Sequence, residues 1–327
     1  MPTIDNPGMA IRAGERILDS YAGAIELAIV ANGSSPASLE ALWDFTASRP
    51  GSVHVLEEPK NLGYGVGCNI GLGFLLERGG FDYFGVANDD ILPARKCLDE
   101  LAGTILELER LGHNPGMVGP VSNFVNGAQV VDIGAYEDET AMEALAENWY
   151  ATKRESATQT IQLRGLLALI APKCLETIGG FDPVFGIGNF EDDDLNLRAK
   201  LAGFTAWIAD GAFVHHEGSL TFRSLNIDYS ANIERNMRIF LRKWRLSRIE
   251  DWPLLDSVPE GVDLYSPLGK PNEPHKHVVR VNGEPVDLVR QATDLEFAAW
   301  VMGAIADRPD DARLAVIEAI EALPRSA

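Results

Sequence analysis

The chain has 327 residues and a formal net charge of −20, which speaks against a nucleic-acid backbone or an anionic membrane as partner and leaves any phosphate-bearing ligand dependent on a metal ion or local cations. Hydrophobic residues at 46% and charged residues at 23% are the proportions of a globular protein with material for one large domain and a smaller appendage. Cys68, Cys97 and Cys174 lie far apart without a CxxC pair, which speaks against a disulfide framework or a structural zinc site and fits a reducing compartment.

Taken in order, residues 25–30 read as a short strand that ends in the turn Ala31-Asn32-Gly33-Ser34-Ser35. Residues 38–45 have helical spacing, and 52–56 form a second strand. A Gly-rich turn, Asn61-Leu62-Gly63-Tyr64-Gly65-Val66-Gly67-Cys68-Asn69, then runs into a helix that continues to about residue 78. A third strand, 83–87, ends at Asn88-Asp89-Asp90. Strand–helix alternation with polar residues at the strand carboxyl ends predicts a mainly parallel α/β sheet whose ligand crevice lies at those ends. A helix is expected over 93–111 and a strand over 117–120, followed by a polar, acidic stretch, 134–160, read as a helix plus a mobile loop. Residues 163–171 form a buried strand or a short helix, the period deciding neither, and at 166–172 contain the longest apolar run, too short to span a bilayer. Residues 204–209 and 212–216 predict two strands around an Asp210-Gly211 turn, and 232–246 a basic amphipathic helix. Prolines make 251–277 a linker, after which 278–288 reads as a hairpin about Asn282-Gly283 with two helices, 294–306 and 309–322. The start lacks a basic-then-apolar signal pattern, so a cytoplasmic protein without a transmembrane segment is expected.

Three constellations carry chemistry. The run Glu191-Asp192-Asp193-Asp194 follows a loop with Gly179, Gly180, Gly186 and Gly188 and opens a helix that Gly203 is placed to end. Acids suit a first helical turn, so the run alone is equally a well-capped solvated helix, but four adjacent charges repel unless something uses them. Asn88-Asp89-Asp90 at a strand end could grip a divalent cation and its diphosphate, but taken alone it reads sooner as an ordinary strand-ending turn. The glycine loop is G-x-G-x-G, without the dinucleotide spacing or its acid, and fits better as backbone against which a nucleotide lies. His215-His216 closes a strand; an imidazole beside acids would favour manganese over magnesium.

Asn32-Gly33-Ser34, Asn61-x-Gly63 through Asn69-x-Gly71, Asn88-Asp89-Asp90, Gly180-Phe181-Asp182, Glu191-Asp192-x-Asp194-Leu195 with Arg198, and His215 with Ser219 follow in an order that resembles the GT-A fold glycosyltransferases of family 2, particularly the rhamnosyl- and galactofuranosyltransferase-like branch. The resemblance covers roughly residues 1–245 and implies a GT-A catalytic domain over 1–250, with 278–327 as a small α+β module. It implies a metal-dependent inverting glycosyltransferase that moves a sugar from a nucleotide-diphosphate donor to a glycan or lipid-linked acceptor, in surface polysaccharide or glycoconjugate synthesis. Asp90 and His215, with His216 as the substitute, would hold Mn2+ or Mg2+, assisted by Asp89 or Asn88; Asn32, Asn61, Gly63 and Asn69 would line the nucleotide site. Asp192 would be the general base, Glu191 and Asp194 would orient the acceptor or support that base, and Arg198 would buttress the acidic loop. The basic helix would either lie near a lipid-linked acceptor, peripheral at the inner membrane face, or neutralise the acidic site; a homo-oligomer through the tail is compatible with both.

Two departures stand out. Pro2-Thr3-Ile4-Asp5-Asn6 opens the chain where the family has a strand leading into Pro-Thr-x-Asn, so the first strand is expected to be missing or reduced. Ala31 stands where the family commonly has an Asp that contacts the base or ribose. Both features motivate the alternative of a degenerate GT-A-like binding or assembly module. A sugar nucleotidyltransferase is disfavoured because its Gly-rich loop followed by Arg and Lys is not seen.

Overall fold

The computed structural model describes residues 1–218, 229–269, 278–281 and 284–287. The chain opens with a two-residue strand, β1 (Pro2–Thr3), and then a helix, α1 (Pro7–Asp19), started by proline at its first helical position. Its buried face is Ala10, Ala13, Gly14 and Ile17, and a Cβ on Gly14 would meet Leu27 and Phe45 at 3.0 Å. The small residues let the helix lie close against those two side chains, with Ile11, Ile17 and Leu18 completing its core face.

The next strands, β2 (Leu27–Asn32) and β3 (Val53–Glu58), join β1 in a parallel three-stranded sheet of order β1-β2-β3. The reduced first strand is therefore present as a stub that pairs Pro2 with Val30 and Thr3 with Ala31. Helices α1 and α2 (Pro36–Ser48) make the crossovers of this sheet, and α3 (Tyr64–Arg78), with nearly every residue of its first two turns buried, leads from β3 into the next one.

A larger mixed sheet follows. It contains β4 (Phe84–Ala87), β5 (Ile91–Pro93), β6 (Pro115–Ser122), β7 (Ala157–Thr160), β8 (Leu167–Ile170) and β9 (Thr205–His216). Their order is β4-β8-β6-β9-β5, with β7 also on β9; β6 and β9 are parallel and the other pairings antiparallel. Two sequence expectations change here. Residues 205–216 form one strand rather than two around a turn: β6 pairs Pro120 with Ala209 and then Val121 with Phe213, so the residues between bulge out. Asp210 is held there by the Ser156 and Thr158 hydroxyls at 2.8 and 3.1 Å. The stretch expected as helix plus loop is α5 (Glu139–Lys153), capped by Asp138 accepting from the Ala141 N–H, followed by β7.

The remaining helices are α4 (Cys97–Arg110), α6 (Pro172–Ile178), α7 (Glu191–Leu201) and α8 (Tyr229–Trp244). α8 joins α7 through a cluster of Phe185, Leu197, Phe240, Trp244 and Trp252. From 251 the chain was expected to be a linker, but 251–269 is fastened to the domain: Lys200 Nζ donates to the Pro253 and Leu255 carbonyls, and Ser266 exchanges backbone bonds with Ile178 and Gly180. Prolines exclude a regular helix there without preventing packing. The expected hairpin is found as antiparallel β10 (Val278–Val281) and β11 (Glu284–Asp287). Its Asn282-Gly283 turn, the helices expected over 294–306 and 309–322, and Ser219 lie outside the described residues. Among the described residues no helix is long and apolar enough to cross a membrane.

Candidate active site

A cleft of about 640 Å³ opens at the carboxyl ends of β2 and β4. Its walls are the start of the chain (Pro2, Thr3), the Asn61–Tyr64 turn, Asn88-Asp89-Asp90, residues 124–126 and 164–166, and the loop running from Ile187 into α7. Such a position, just beyond strand carboxyl ends, is where open α/β sheets take ligands.

On one side the glycine loop is locked by asparagines. Asn32 is buried; its Nδ2 donates to the Gly63 carbonyl at 3.0 Å and its Oδ1 accepts from the Leu62 N–H at 3.0 Å. Asn61 Oδ1 accepts from the Gly63 N–H at 2.9 Å. Gly63 has φ +87°, and a Cβ there would stand 1.9 Å from the Gly186 carbonyl oxygen, so only glycine lets the two loops cross. Asn32, Asn61 and Gly63 thus line the cleft as one rigid turn. Asn69, expected in the nucleotide site, lies elsewhere: its Nδ2 donates to the Phe181 carbonyl and its Oδ1 accepts from the Phe181 N–H, each at 2.7 Å, bracing the loop before α7.

Asp89 and Asp90 both face the cleft. Asp89 accepts from the Thr3 hydroxyl at 2.6 Å, and burial, reinforced by Asp90, pushes its pKa up to about 6 despite that bond. Asp90 Oδ1 is buried without a hydrogen bond and lies 3.1 Å from His216 Nε2. His216 Nδ1 donates to the Phe124 carbonyl at 2.7 Å, which directs the Nε2 lone pair at Asp90. Two lone pairs at that separation call for a proton or a cation between them. Burial disfavours the imidazolium, but the Asp90 carboxylate 3.1 Å away outweighs it and raises the His216 pKa. The placement favours His216 over His215. His215 turns the other way in β9: its Nδ1 bonds the Tyr136 hydroxyl at 2.6 Å and its Nε2 lies 3.6 Å from Glu217.

The residues fit a divalent cation in a particular way. Among the described residues no three His, Cys, Asp or Glu side chains gather into a ready cage. An orphaned carboxylate oxygen opposite a correctly oriented imidazole nitrogen, with Asp89 and Asn88 adjacent, is instead a partial site, of the kind that Mg2+ or Mn2+ completes with ligand phosphates and water.

The four acids of the first turn of α7 part company. Glu191 is buried with Oε2 unpartnered at the cleft wall, and burial together with Asp192 holds its pKa well above the carboxylate range. Asp192 is half-buried in the cleft and accepts from the Gly165 N–H at 3.2 Å. Asp193 accepts from Gln162 at 2.6 Å and from Arg164 at 3.1 Å; burial nevertheless raises its pKa. Asp194, expected to bind the acceptor, does not reach the cleft. It is 0% exposed and accepts from Arg198 Nε at 2.8 Å, Lys243 Nζ at 2.7 Å and the Trp244 indole at 3.0 Å. Burial alone would raise its pKa, but Lys243 and Arg198 hold it below the ordinary value. Arg198 does buttress the loop: its Nη2 donates to the Gly180 carbonyl at 2.6 Å and its Nη1 to Ile178 at 2.7 Å.

Several residues that shape the site carried no signal in sequence. Lys243 also bonds Asp182 at 2.7 Å, and Arg238 pairs with Glu234, so these cations of α8 serve the interior rather than an outside surface. Asn236, buried, donates to the carbonyls of Phe185, Gly188 and Asn189 at 2.7–3.0 Å. It pins the loop just before Asn189 and Phe190, which carry φ of +76° and +70° and turn the chain into α7. Arg164, on the 162–166 segment opposite α7, is the one Lys or Arg on the cleft wall among the described residues. Tyr64, within the glycine loop, donates its hydroxyl to the Gly165 carbonyl. An asparagine on a basic helix or an arginine in a loop is an ordinary surface residue until its partners are known.

Residues 1–124 match the family model for glycosyl transferase family 2. No curated protein matches the chain. Among solved structures, the mannosyltransferase PcManGT from Pyrobaculum calidifontis in complex with GDP-Man and Mn2+ is similar at 15% identity and a TM-score of 0.49, covering 97% of this chain and 76% of that one. GalNAc-T7 with UDP, GalNAc and Mn2+ is similar at 14% identity and a TM-score of 0.49, covering 70% of this chain and 43% of that one.

Proposed function

We propose that the chain is a metal-dependent glycosyltransferase that moves a sugar from a nucleotide-diphosphate donor to an acceptor hydroxyl with inversion. The observation that carries this reading is a single cleft walled by the Asp90–His216 pair and the Asn32–Asn61–Gly63 turn and also by the half-buried Asp192 carboxylate. The family match over residues 1–124, which contains the turn and Asp90, supports it. Asp90 and His216 would hold the cation, which when bound would neutralise charge on the departing diphosphate. The asparagine-locked backbone at Leu62–Gly63 offers the nucleotide a fixed surface. Asp192, oriented by the Gly165 N–H, accepts the proton of the attacking hydroxyl. Glu191, whose pKa burial and the neighbouring Asp192 hold well above the usual carboxylate range, stands beside it at the cleft wall.

A thermal-shift panel with UDP, dTDP, GDP and CDP, each with manganese, magnesium or chelator, tests the donor site. A ligand at about a hundred times its dissociation constant stabilises by roughly 2.7 kcal/mol. One nucleotide should shift the protein, and chelation or Asp90→Ala should remove the shift. Asp192→Asn should keep the shift and lose transfer; wild-type transfer by that variant would remove Asp192 as the base. The alternative, a binding module without transfer, is favoured by Ala31, a fully buried methyl on β2 where a base- or ribose-contacting acid is expected. It predicts no metal-dependent nucleotide shift.

A further inference from the structure

We infer that Tyr64 is a positioning residue for Asp192, acting through Gly165. Three observations meet at this tyrosine. It is the first residue of α3, directly after the asparagine-locked Gly63, and its own N–H donates to the Ile187 carbonyl at 3.1 Å, so it is anchored to both loops that cross at Gly63. Its ring is packed edge-on against Phe181 with centroids 5.9 Å apart. Its hydroxyl donates to the Gly165 carbonyl, while the N–H of the same Gly165 donates to Asp192 Oδ2 at 3.2 Å.

Gly165 is the weak link in that chain. A glycine has wide backbone freedom, so a carboxylate oriented by a glycine N–H is only as well placed as the glycine itself. The Tyr64 hydroxyl holds the carbonyl side of the residue, one Cα away from the N–H that meets Asp192, and so restrains the glycine whose amide orients that carboxylate. Burial keeps the Tyr64 phenol neutral far above the working range, so it remains a donor. The turn that would carry the nucleotide and the carboxylate that would take the acceptor proton are thereby set in one frame. This rests on the proposed function for its catalytic consequence but not for its geometry.

The test is Tyr64→Phe, which keeps the ring and removes the hydroxyl, with Gly165→Ala as the compensating change. A Cβ on Gly165 would lie 3.6 Å from Tyr64 and 3.9 Å from Asp192, ordinary contact distances, so alanine fits and restricts the backbone. Residue-resolved hydrogen exchange on the ligand-free protein should show the Gly165 amide exchanging about five- to tenfold faster in Tyr64→Phe, the loss of roughly one hydrogen bond. Nucleotide release from a panel of UDP-, dTDP- and GDP-sugars should fall in kcat by a similar factor with KM for the donor unchanged, and Tyr64→Phe/Gly165→Ala should recover much of it. A purely structural role would change KM or melting temperature and would not be rescued by alanine. Wild-type exchange at Gly165 in Tyr64→Phe, or a loss that alanine does not rescue, overturns the inference. If no nucleotide sugar turns over with the wild-type protein, the functional proposal fails while the exchange result still decides the role of Tyr64.

Discussion

Asp194 is the sharpest point at which the structure separates a supporting acid from a working one, and Asp194→Asn tests it. The carboxylate is wholly buried and bonded to two cations, Arg198 at 2.8 Å and Lys243 at 2.7 Å, and to the Trp244 indole at 3.0 Å. With Asp182 on Lys243 the cluster holds two negative and two positive charges; the amide leaves one buried positive charge uncompensated. Breaking a buried pair in this way costs about 3–5 kcal/mol. For a protein of this size that corresponds to a fall in Tm of about 4–7 °C. Thermal and urea unfolding measure it, and the pH dependence gives a second check. The folded pKa of Asp194 is depressed, so its contribution is complete above the unfolded value near 4 and is lost as pH falls through the folded value. The variant should therefore lose stability at neutral pH and show a shallower acid-unfolding limb. Adding Lys243→Met should restore part of the loss, because it removes the uncompensated charge. A variant with wild-type Tm that had lost only acceptor-dependent activity would refute the reasoning and return Asp194 to the acceptor.

Two further outcomes are expected. His216→Ala should abolish metal-dependent nucleotide stabilisation whereas His215→Ala, which loses its bond to Tyr136, should retain it; the thermal-shift panel reads both. In chelator, Asp89→Asn should stabilise the fold at pH 8 and have no effect below about pH 4, since a carboxylate raised to about 6 by burial costs stability only once pH rises past its unfolded value. Unfolding midpoints across pH 3–8 check the sign, and a destabilised variant at pH 8 would contradict it.

What the sequence made legible was local. Strands β2, β3 and β4 and helix α3 follow from short apolar runs and glycine punctuation, and the cleft lies at the strand ends the alternation indicated. What it hid depended on partners distant along the chain. Helix α1 is amphipathic, but its buried face is partly alanine and glycine, and it begins only four residues after a two-residue strand, so neither element stands out in the opening stretch. The bulge at Asp210 reads as a turn because Asp-Gly favours one, until hydroxyls from β7 hold the aspartate in a continuous strand. The choice between adjacent His215 and His216 reverses with one residue of strand register, since successive side chains point to opposite faces, and β5 fixes that register by pairing Ile91 with His216.

The acid run shows how one sequence feature divides into separate functions. Successive residues of an α-helix point about 100° apart, so four consecutive acids cover the whole circumference of its first turn and cannot share one environment. Each environment here is supplied from elsewhere: the wall near Gly65 for Glu191, the Gly165 N–H for Asp192, Gln162 and Arg164 for Asp193, and Lys243 and Arg198 for Asp194. Two of the four are tied by cations, and burial holds the pKa of Glu191 well above the usual carboxylate range. The repulsion that makes the bare run look costly is thereby dispersed; of the two members at the cleft without a cation partner among the described residues, Glu191 is buried and Asp192 is the more exposed. On the proposed function, an acidic protein would in this way offer the Asp192 carboxylate to an acceptor hydroxyl, while a cation at Asp90 and His216 on another wall would take the negative charge of a diphosphate.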